Sequence, residues 1–383
     1  MKKVLAVLVL FAGFSVFAYA RGWADPILGR SSAQAASSTA GSEETGEVKS
    51  LIESKNYSAA ADALSKKIAS STQPSSDDLL LLAFCHEKAG NRKAEEETCN
   101  AILRSHADAP AAAVALFRLG AIARDRGDKE AAQAQFTAAV SRFPVTEHGS
   151  RSAAELGRMC VETGDLQGAR RNYSKVMEGE LDDERVKAAA ALSKMNDDIV
   201  RSQTPCDDVI VHQVQPGDAL ARIARKYNTA VGLIQTVNKL SGSVIHPGQY
   251  LKILKGDVTI LIVKSRFRLS VFVGGIWFRD YEVGIGKNDS TPEGSFEITT
   301  KIENPPWHWQ GRVIPPEDQE NILGTRWMGF KNKPGLSGYG IHGTRDPSSV
   351  PGAVSSGCIR MRNGDVESLF ELVPHGAVVT IRG

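Results

Sequence analysis

Tyr339-Gly340-Ile341-His342-Gly343-Thr344, a polar Pro-containing loop, and then Ser355-Ser356-Gly357-Cys358-Ile359-Arg360-Met361 form the stretch on which the reading of this chain turns. A histidine stands between an apolar β-former and a glycine, and a cysteine follows sixteen residues later behind Ser-Ser-Gly. A thiol becomes a strong nucleophile only as a thiolate, and a nearby imidazole is the usual means of taking its proton near neutral pH. Gly357 removes bulk just before the thiol, so the backbone N–H groups of Ser356, Gly357 and Cys358 can face a developing oxyanion. Arg360 lies two residues past Cys358, which in a strand puts both side chains on one face. A guanidinium there can hold a carboxylate through two hydrogen bonds. Taken alone, a Cys and a His at this spacing are more often unrelated core or surface residues. The wording around the pair is what favours chemistry.

Working outward, the residues after Gly256 read as strands. Val258 to Val263, Arg268 to Val273, Ile276 to Val283 and Ser295 to Thr300 are β-branched or aromatic runs broken by Gly, Asp and Pro. Gly274-Gly275 is a strong hairpin signal, and Thr291-Pro292-Glu293-Gly294 marks another turn. A long aromatic loop opens at Asn304-Pro305-Pro306-Trp307-His308-Trp309 and reaches about Thr325; loops of this length are often functional lids. His308 within it reads as structural or substrate-facing. Asn363-Gly364-Asp365 starts a helix with a core face of Val366, Leu369, Phe370 and Val373, which Pro374 stops. Val378 to Ile381 closes the domain as a last strand. Residues 257–383 are thus expected to form a mostly-β domain with one small helix.

The run H-G-T followed by S-x-G-C-I-R-M resembles the active-site signature of the L,D-transpeptidase catalytic domain of the YkuD type, whose members crosslink or trim bacterial peptidoglycan. The resemblance implies Cys358 as nucleophile, His342 as general base and the Gly343 carbonyl as the group that orients the imidazole. It further implies that the Ser356 and Gly357 amides face the oxyanion, and that Arg360, Ser355, Tyr339 and Trp327 meet the substrate. The implied reaction is acyl transfer at the bond between an L-centre and D-alanine of a tetrapeptide stem. The acceptor is an amine, giving crosslinks or another attachment; with water, the site is a carboxypeptidase or endopeptidase. No metal or organic cofactor is required. The family usually has His where this chain has Ser356, which bears on accessory orientation and substrate choice rather than on the base. A silent catalytic domain on a peptidoglycan-binding scaffold is the alternative from another class.

Upstream, His212-Gln213-Val214-Gln215-Pro216-Gly217-Asp218-Ala219-Leu220 leads into Leu220, Ile223, Ala224 and Tyr227, spaced as one helical face with Asp218 as the expected N-cap. A second helix begins near Thr229 and buries Leu233, Ile234 and Val237. His246-Pro247-Gly248-Gln249 then turns the chain into Tyr250 to Leu254. This strand–helix–helix–strand run over residues 209–255 looks like a LysM domain. The resemblance implies binding of N-acetylglucosamine-containing glycan, here peptidoglycan. Its two loops are marked by Pro216, Gly217, Asp218 and Ala219 and by Val244, Ile245 and His246.

Residues 47–200 are Ala-rich, helical in pattern and repetitive. Ala89-Gly90-Asn91, Arg126-Gly127-Asp128 and Thr163-Gly164-Asp165 recur at a spacing of 37. Ala83, Gly120 and Gly157 match before each turn, Phe136 and Tyr173 match after it, and Lys55-Asn56-Tyr57 is a degenerate earlier copy. Leu116, Leu119 and Ala123, with Ala132, Phe136 and Val140, form buried stripes. The region resembles tetratricopeptide-type repeats of slightly long period, whose stacking makes a concave face suited to a protein partner or a spacer role.

Met1-Lys2-Lys3, an apolar run from Val4 and Ala18-Tyr19-Ala20 read as a signal peptide over 1–20, with cleavage after Ala20 favoured over an inner-membrane anchor. The mature protein is then exported to the periplasm or cell wall. Residues 21–46, rich in Ser, Ala, Gly and Thr, read as a flexible linker. A net charge of +2 gives no reason to expect nucleic acid as a partner. Five cysteines are an odd number, and Cys85 and Cys99 are placed to bridge two arms of a helical hairpin. The odd thiol suits a working Cys358, and no Cys or His cluster has zinc-ligand spacing.

Overall fold

Asn56, Asn91, Asp128 and Asp165 each accept a hydrogen bond from the backbone N–H three residues on, at Ala59, Ala94, Ala131 and Gly168. Each is therefore a helix N-cap, and each follows a residue with positive φ: Lys55 (60°), Gly90 (76°), Gly127 (82°) and Gly164 (77°). A left-handed residue ends one helix and a capping side chain starts the next, which is the local code for a helical hairpin. The computed structural model describes residues 39–179, 182–201 and 207–383. The signal peptide, residues 21–38 of the linker and Cys206 lie outside them. The chain divides into two units, residues 1–153 and 154–383.

In the first unit the helices are α1 (Thr39–Glu53), α2 (Tyr57–Ala69), α3 (Ser76–Lys88), α4 (Arg92–Ser105), α5 (Pro110–Asp125) and α6 (Lys129–Arg142); α7 (Glu147–Thr163) begins there. α1 starts inside the stretch read as linker. Its apolar anchors Val48 and Ile52 are buried near its end. The expected stripes are buried at Leu116, Leu119, Ala123, Ala132, Phe136 and Val140. A Cβ on Gly120 would lie 2.5 Å from the Phe136 ring. Gly120→Val is accordingly expected to destabilise this unit by about 1–3 kcal/mol through overpacking, read as a lower midpoint in urea. The expected Cys85–Cys99 bridge is not made, and both are free thiols. Cys85 packs with Leu64 and Phe84, whereas Cys99 packs with Ile102 and Ala115, in separate apolar layers. Burial pushes each thiol up to about 12.

The second unit continues α7 and adds α8 (Leu166–Glu178) and α9 (Asp182–Arg201). The next elements are β1 (Val209–Gln213), α10 (Leu220–Lys226), α11 (Val231–Asn238) and β2 (Tyr250–Leu254). β1 and β2 pair antiparallel, Val209 opposite Leu254 through Gln213 opposite Tyr250. This is the expected strand–helix–helix–strand module. Asp218 is not a cap: α10 starts at Leu220, and Ala219 before it makes no side-chain cap. The Asp218 carboxylate is taken instead by the Gln215 N–H at 2.8 Å and by His212 Nε2 at 3.1 Å.

The C-terminal portion holds β3 (Val258–Val263), β4 (Arg268–Val273), β5 (Ile276–Glu282), β6 (Gly284–Gly286) and β7 (Gly294–Glu303). It continues with β8 (Trp307–Trp309), β9 (Arg312–Ile314), β10 (Arg326–Phe330), β11 (Gly340–His342), β12 (Gly352–Ser355), β13 (Ile359–Arg360), α12 (Asn363–Leu372) and β14 (Val378–Arg382). Ten strands form one sheet in the order β12-β6-β13-β11-β10-β7-β14-β3-β4-β5. Gly274 and Gly275, both at positive φ, make the tight β4–β5 hairpin. The long loop after β7 is not featureless, because β8 and β9 form a separate hairpin within it, with Trp307 stacked on Trp309 at 5.2 Å.

β5 is an edge strand, and α8 and α9 cover it. Ser174 Oγ accepts the Trp277 N–H at 2.9 Å, Asn196 donates to the Trp277 carbonyl at 3.2 Å, and Arg185 pairs with Asp280 at 3.1 Å. Backbone groups that would otherwise invite another strand are thereby occupied. α11 is buried on two sides. Ile234 packs with Leu220, Ile223, Leu251 and Ile253, whereas Ala230, Leu233 and Val237 enter the core formed with Val366, Leu369 and Leu372 of α12. Among the described residues no helix is long and apolar enough to cross a membrane.

Candidate active site

β11 and β13 run parallel as neighbours, with Ile341 opposite Ile359 and His342 opposite Arg360. That register sets Cys358, one residue before β13, beside Gly340, whose backbone N–H faces the sulfur. Residues two apart on a strand share a face, so His342, Cys358 and Arg360 are brought to one side of the sheet. All three line a cavity of about 640 Å³, together with Tyr339, Trp327 and Ser356 and with Trp307, His308 and Trp309 from the β8–β9 hairpin. Gly340 has to be small, since a Cβ there would lie 2.5 Å from the Met328 carbonyl and 3.0 Å from the Trp327 ring.

His342 is buried, and its Nδ1 lies 2.6 Å from the Gly343 carbonyl. That contact assigns the ring proton to Nδ1 and leaves Nε2 as the basic nitrogen. The Trp327 ring lies over the imidazole at 5.9 Å, tilted by 26°. Burial drives the His342 pKa down to about 4, against the upward pull of the Gly343 and Leu323 carbonyls, and Arg360 adds to the lowering. Burial also raises the Cys358 thiol, opposed by the Gly340 N–H and by Arg360. The resting pair is a neutral imidazole and a neutral thiol, the latter directed at the Gly338 carbonyl at 3.6 Å.

The turn before the thiol is knitted by Ser355, which is buried. Its Oγ donates to the Cys358 carbonyl at 2.7 Å and accepts the Gly357 N–H at 3.1 Å. The Gly357 amide, expected to face an oxyanion, is therefore already engaged. Gly357 sits at φ 134° with the Tyr339 ring 2.7 Å from where a Cβ would be, so Tyr339 shapes this turn as well as the cavity. Thr291, which the sequence marks only as the start of a turn, accepts the Gly286 N–H at 2.7 Å and donates to the Gly357 carbonyl at 3.0 Å. Arg360 donates from Nη1 to Ser349 Oγ at 3.2 Å, and its buried Nε has no hydrogen-bond partner among the described residues. Asn321 was not singled out from the sequence. Its Nδ2 reaches the carbonyls of Pro305, Ile314 and Pro315 at 3.0–3.2 Å and pins the base of the β8–β9 hairpin.

Residues 257–381 match the family model of the L,D-transpeptidase catalytic domain, of the YkuD type. YqjB of Bacillus subtilis (strain 168), a candidate L,D-transpeptidase, is 42% identical over 131 residues, covering 33% of this chain and 73% of that protein. The chain belongs to the L,D-transpeptidase family. YkuD of Bacillus licheniformis, also a candidate member, is 32% identical over 186 residues, covering 45% of this chain and 99% of that protein. The transpeptidase domain is preceded by a second matched module, a LysM domain at residues 212–254.

In the LysM domain the two expected loops lie side by side. The Val214 N–H donates to the Gln249 carbonyl and the Gly248 N–H to the Val214 carbonyl, each at 2.8 Å. Pro216, Gly217, Ala219, Val244 and His246 are exposed there. Two of the expected contact residues point elsewhere: Asp218 is spent on His212 and Gln215, and Ile245 packs against the LysM core.

Proposed function

We propose that this protein is a peptidoglycan L,D-transpeptidase that transfers an acyl group through Cys358. The observation that carries the reading is the shared cavity. A thiol and a neutral imidazole open into it from adjacent parallel strands, with the imidazole held by the Gly343 carbonyl at 2.6 Å. As sulfur attacks the carbonyl between an L-centre and D-alanine of a tetrapeptide stem, His342 Nε2 takes the thiol proton. The Gly343 carbonyl, already accepting from Nδ1, stabilises the imidazolium that forms. The Cys358 and Ser356 amides face the oxyanion, Gly357 serving to shape the turn. The tetrahedral intermediate collapses, the C–N bond breaks, and His342 returns the proton to the departing D-alanine amine. An amine from a second stem or another acceptor then attacks the thioester, gives its proton to His342, and regenerates the thiol.

Arg360 supplies the grip on substrate. Its place in the cavity, opposite His342 and two residues past Cys358, suits a stem carboxylate, which its guanidinium can hold. Trp307, Trp309 and Trp327 exclude water from the thioester. The LysM loops hold glycan and raise the local concentration of stems, which places the protein in the periplasm or cell wall after export. Incubation with a carbapenem is expected to leave a stable adduct, mapped by peptide mass spectrometry to Cys358. Incubation with purified peptidoglycan is expected to yield crosslinked stems among the muropeptides. A thiol that forms no carbapenem adduct, with stems neither crosslinked nor shortened, would overturn the proposal; stems shortened without new crosslinks would assign water as the acceptor.

A further inference from the structure

We infer that Asn363 is a positioning residue for the His342 base, acting through the peptide unit that joins Gly343 to Thr344. The inference rests on the reading of His342 as the base at Cys358. The Gly343 carbonyl that meets His342 Nδ1 at 2.6 Å and the Thr344 N–H belong to one peptide group. That N–H donates to Asn363 Oδ1 at 3.0 Å. A trans peptide is planar, with C=O and N–H pointing opposite ways, so holding one end sets the direction of the other. Asn363 Oδ1 also accepts the Thr325 N–H at 3.3 Å. Thr325 follows the Leu323-Gly324 segment, whose Leu323 carbonyl is the second one facing the imidazole. One carboxamide oxygen therefore staples together the two backbone segments that present carbonyls to the ring. Both of its partners are backbone donors, so the oxygen and not the nitrogen must occupy that position.

The surroundings are shaped to admit this side chain. A Cβ on Gly343 would lie 2.3 Å from Asn363 Oδ1, and so would a Cβ on Gly324, which in addition sits at φ 65°. Any other residue at either position would push the carboxamide out. The N-cap of α12 is Arg362, which makes no side-chain capping bond, and Asn363, the first residue of the helix, turns its oxygen to Thr325 and Thr344. Its carboxamide is spent across the fold. The helix itself is a firm base: Val366 and Leu369 are fully buried, and Lys301 donates to the Phe370 and Val373 carbonyls at its far end at 2.5 and 2.6 Å.

The test compares the full-length protein with its Asn363→Ala and Asn363→Asp variants by the rate constant of Cys358 acylation by a carbapenem, its pH profile, and the thermal midpoint. Without the acceptor, the peptide carrying the Gly343 carbonyl can rotate. Asn363→Ala is expected to acylate up to about 100-fold more slowly at neutral pH, with binding of the carbapenem before acylation unchanged. Asn363→Asp keeps the acceptor and adds negative charge behind the Gly343–Thr344 peptide. It is expected to retain most of the rate and to move the acidic limb of the profile to higher pH. A merely structural asparagine would lower the midpoint in both variants and leave that limb in place, which would overturn the inference. So would Asn363→Ala acylating at the wild-type rate while wild type forms its normal adduct. A wild-type protein that forms no adduct overturns the function proposed above along with this inference.

Discussion

Replacing His342 with glutamine is expected to slow acylation of Cys358 by about 10²–10⁴-fold, the range a positioned general base contributes. Glutamine keeps bulk and a polar end but has no nitrogen able to take the thiol proton. The burial that raises the Cys358 thiol leaves little thiolate without that base. The pH profile carries a second signature. With His342 lowered to about 4, the acidic limb of wild-type acylation is expected near that value, well below the 6.5 of an ordinary imidazole. The sign for stability follows from the same shift. The folded state favours the neutral ring, so its contribution is fully present above 6.5 and is lost as pH falls through about 4. His148, buried against Phe117 and lowered to about 3 by burial with help from Arg151 and Arg118, behaves in the same direction. Thermal midpoints measured from pH 7 down to 4 should therefore fall, and the glutamine variant should lose part of that slope.

Arg118→Ala is expected to cost the helical repeats about 3–5 kcal/mol, the cost of stranding a buried partner charge. Arg118 is 7% exposed and holds Glu87 at 2.6 Å and Glu95 at 2.7 Å. Glu95 is itself 1% exposed and also pairs with Arg92 at 3.0 Å. Removing the guanidinium leaves two carboxylates with little water to take its place. Arg118→Lys should recover only part of the loss, because one ammonium cannot reproduce the planar fork that spans both partners. Urea unfolding followed by circular dichroism reads the difference. An exposed pair such as Lys67–Asp78, at 2.7 Å with side chains 35% and 24% accessible, is expected to contribute no more than about 1 kcal/mol.

What was legible in the sequence was chemistry that acts between near neighbours. The Gly-Asn and Gly-Asp turns announce the helical hairpins because a positive φ and an N-cap need those residues within two positions. Gly274-Gly275 announces its hairpin for the same reason. His342 and Cys358 were legible because the glycines and small polar residues around them serve backbone geometry at each site. What escaped notice acts across distance. Asn363 reaches Thr344 and Thr325 over 19 and 38 residues, and Thr291 reaches Gly357 over 66. A single Asn or Thr has no period to betray it. Asp218 shows the reverse: the local rule makes it a helix cap, but His212 arrives from the preceding strand and captures its carboxylate. Cys85 and Cys99 sit on neighbouring helices whose thiols enter different apolar layers, which spacing does not reveal.

α11 gives one flank to each of two cores, and a Cβ on its Gly232 would come within 2.5 Å of the Glu371 carbonyl. The border between the matched modules, near residue 256, is thus a border in descent and not in folding. Cutting there would strip Ala230, Leu233 and Val237 from the C-terminal fragment and wet the side of α12 they cover. A fully buried leucine alone contributes about 1.5–3 kcal/mol. The LysM and transpeptidase-family halves should melt together, in one step, and a fragment lacking the first half should be a worse protein rather than merely a smaller one.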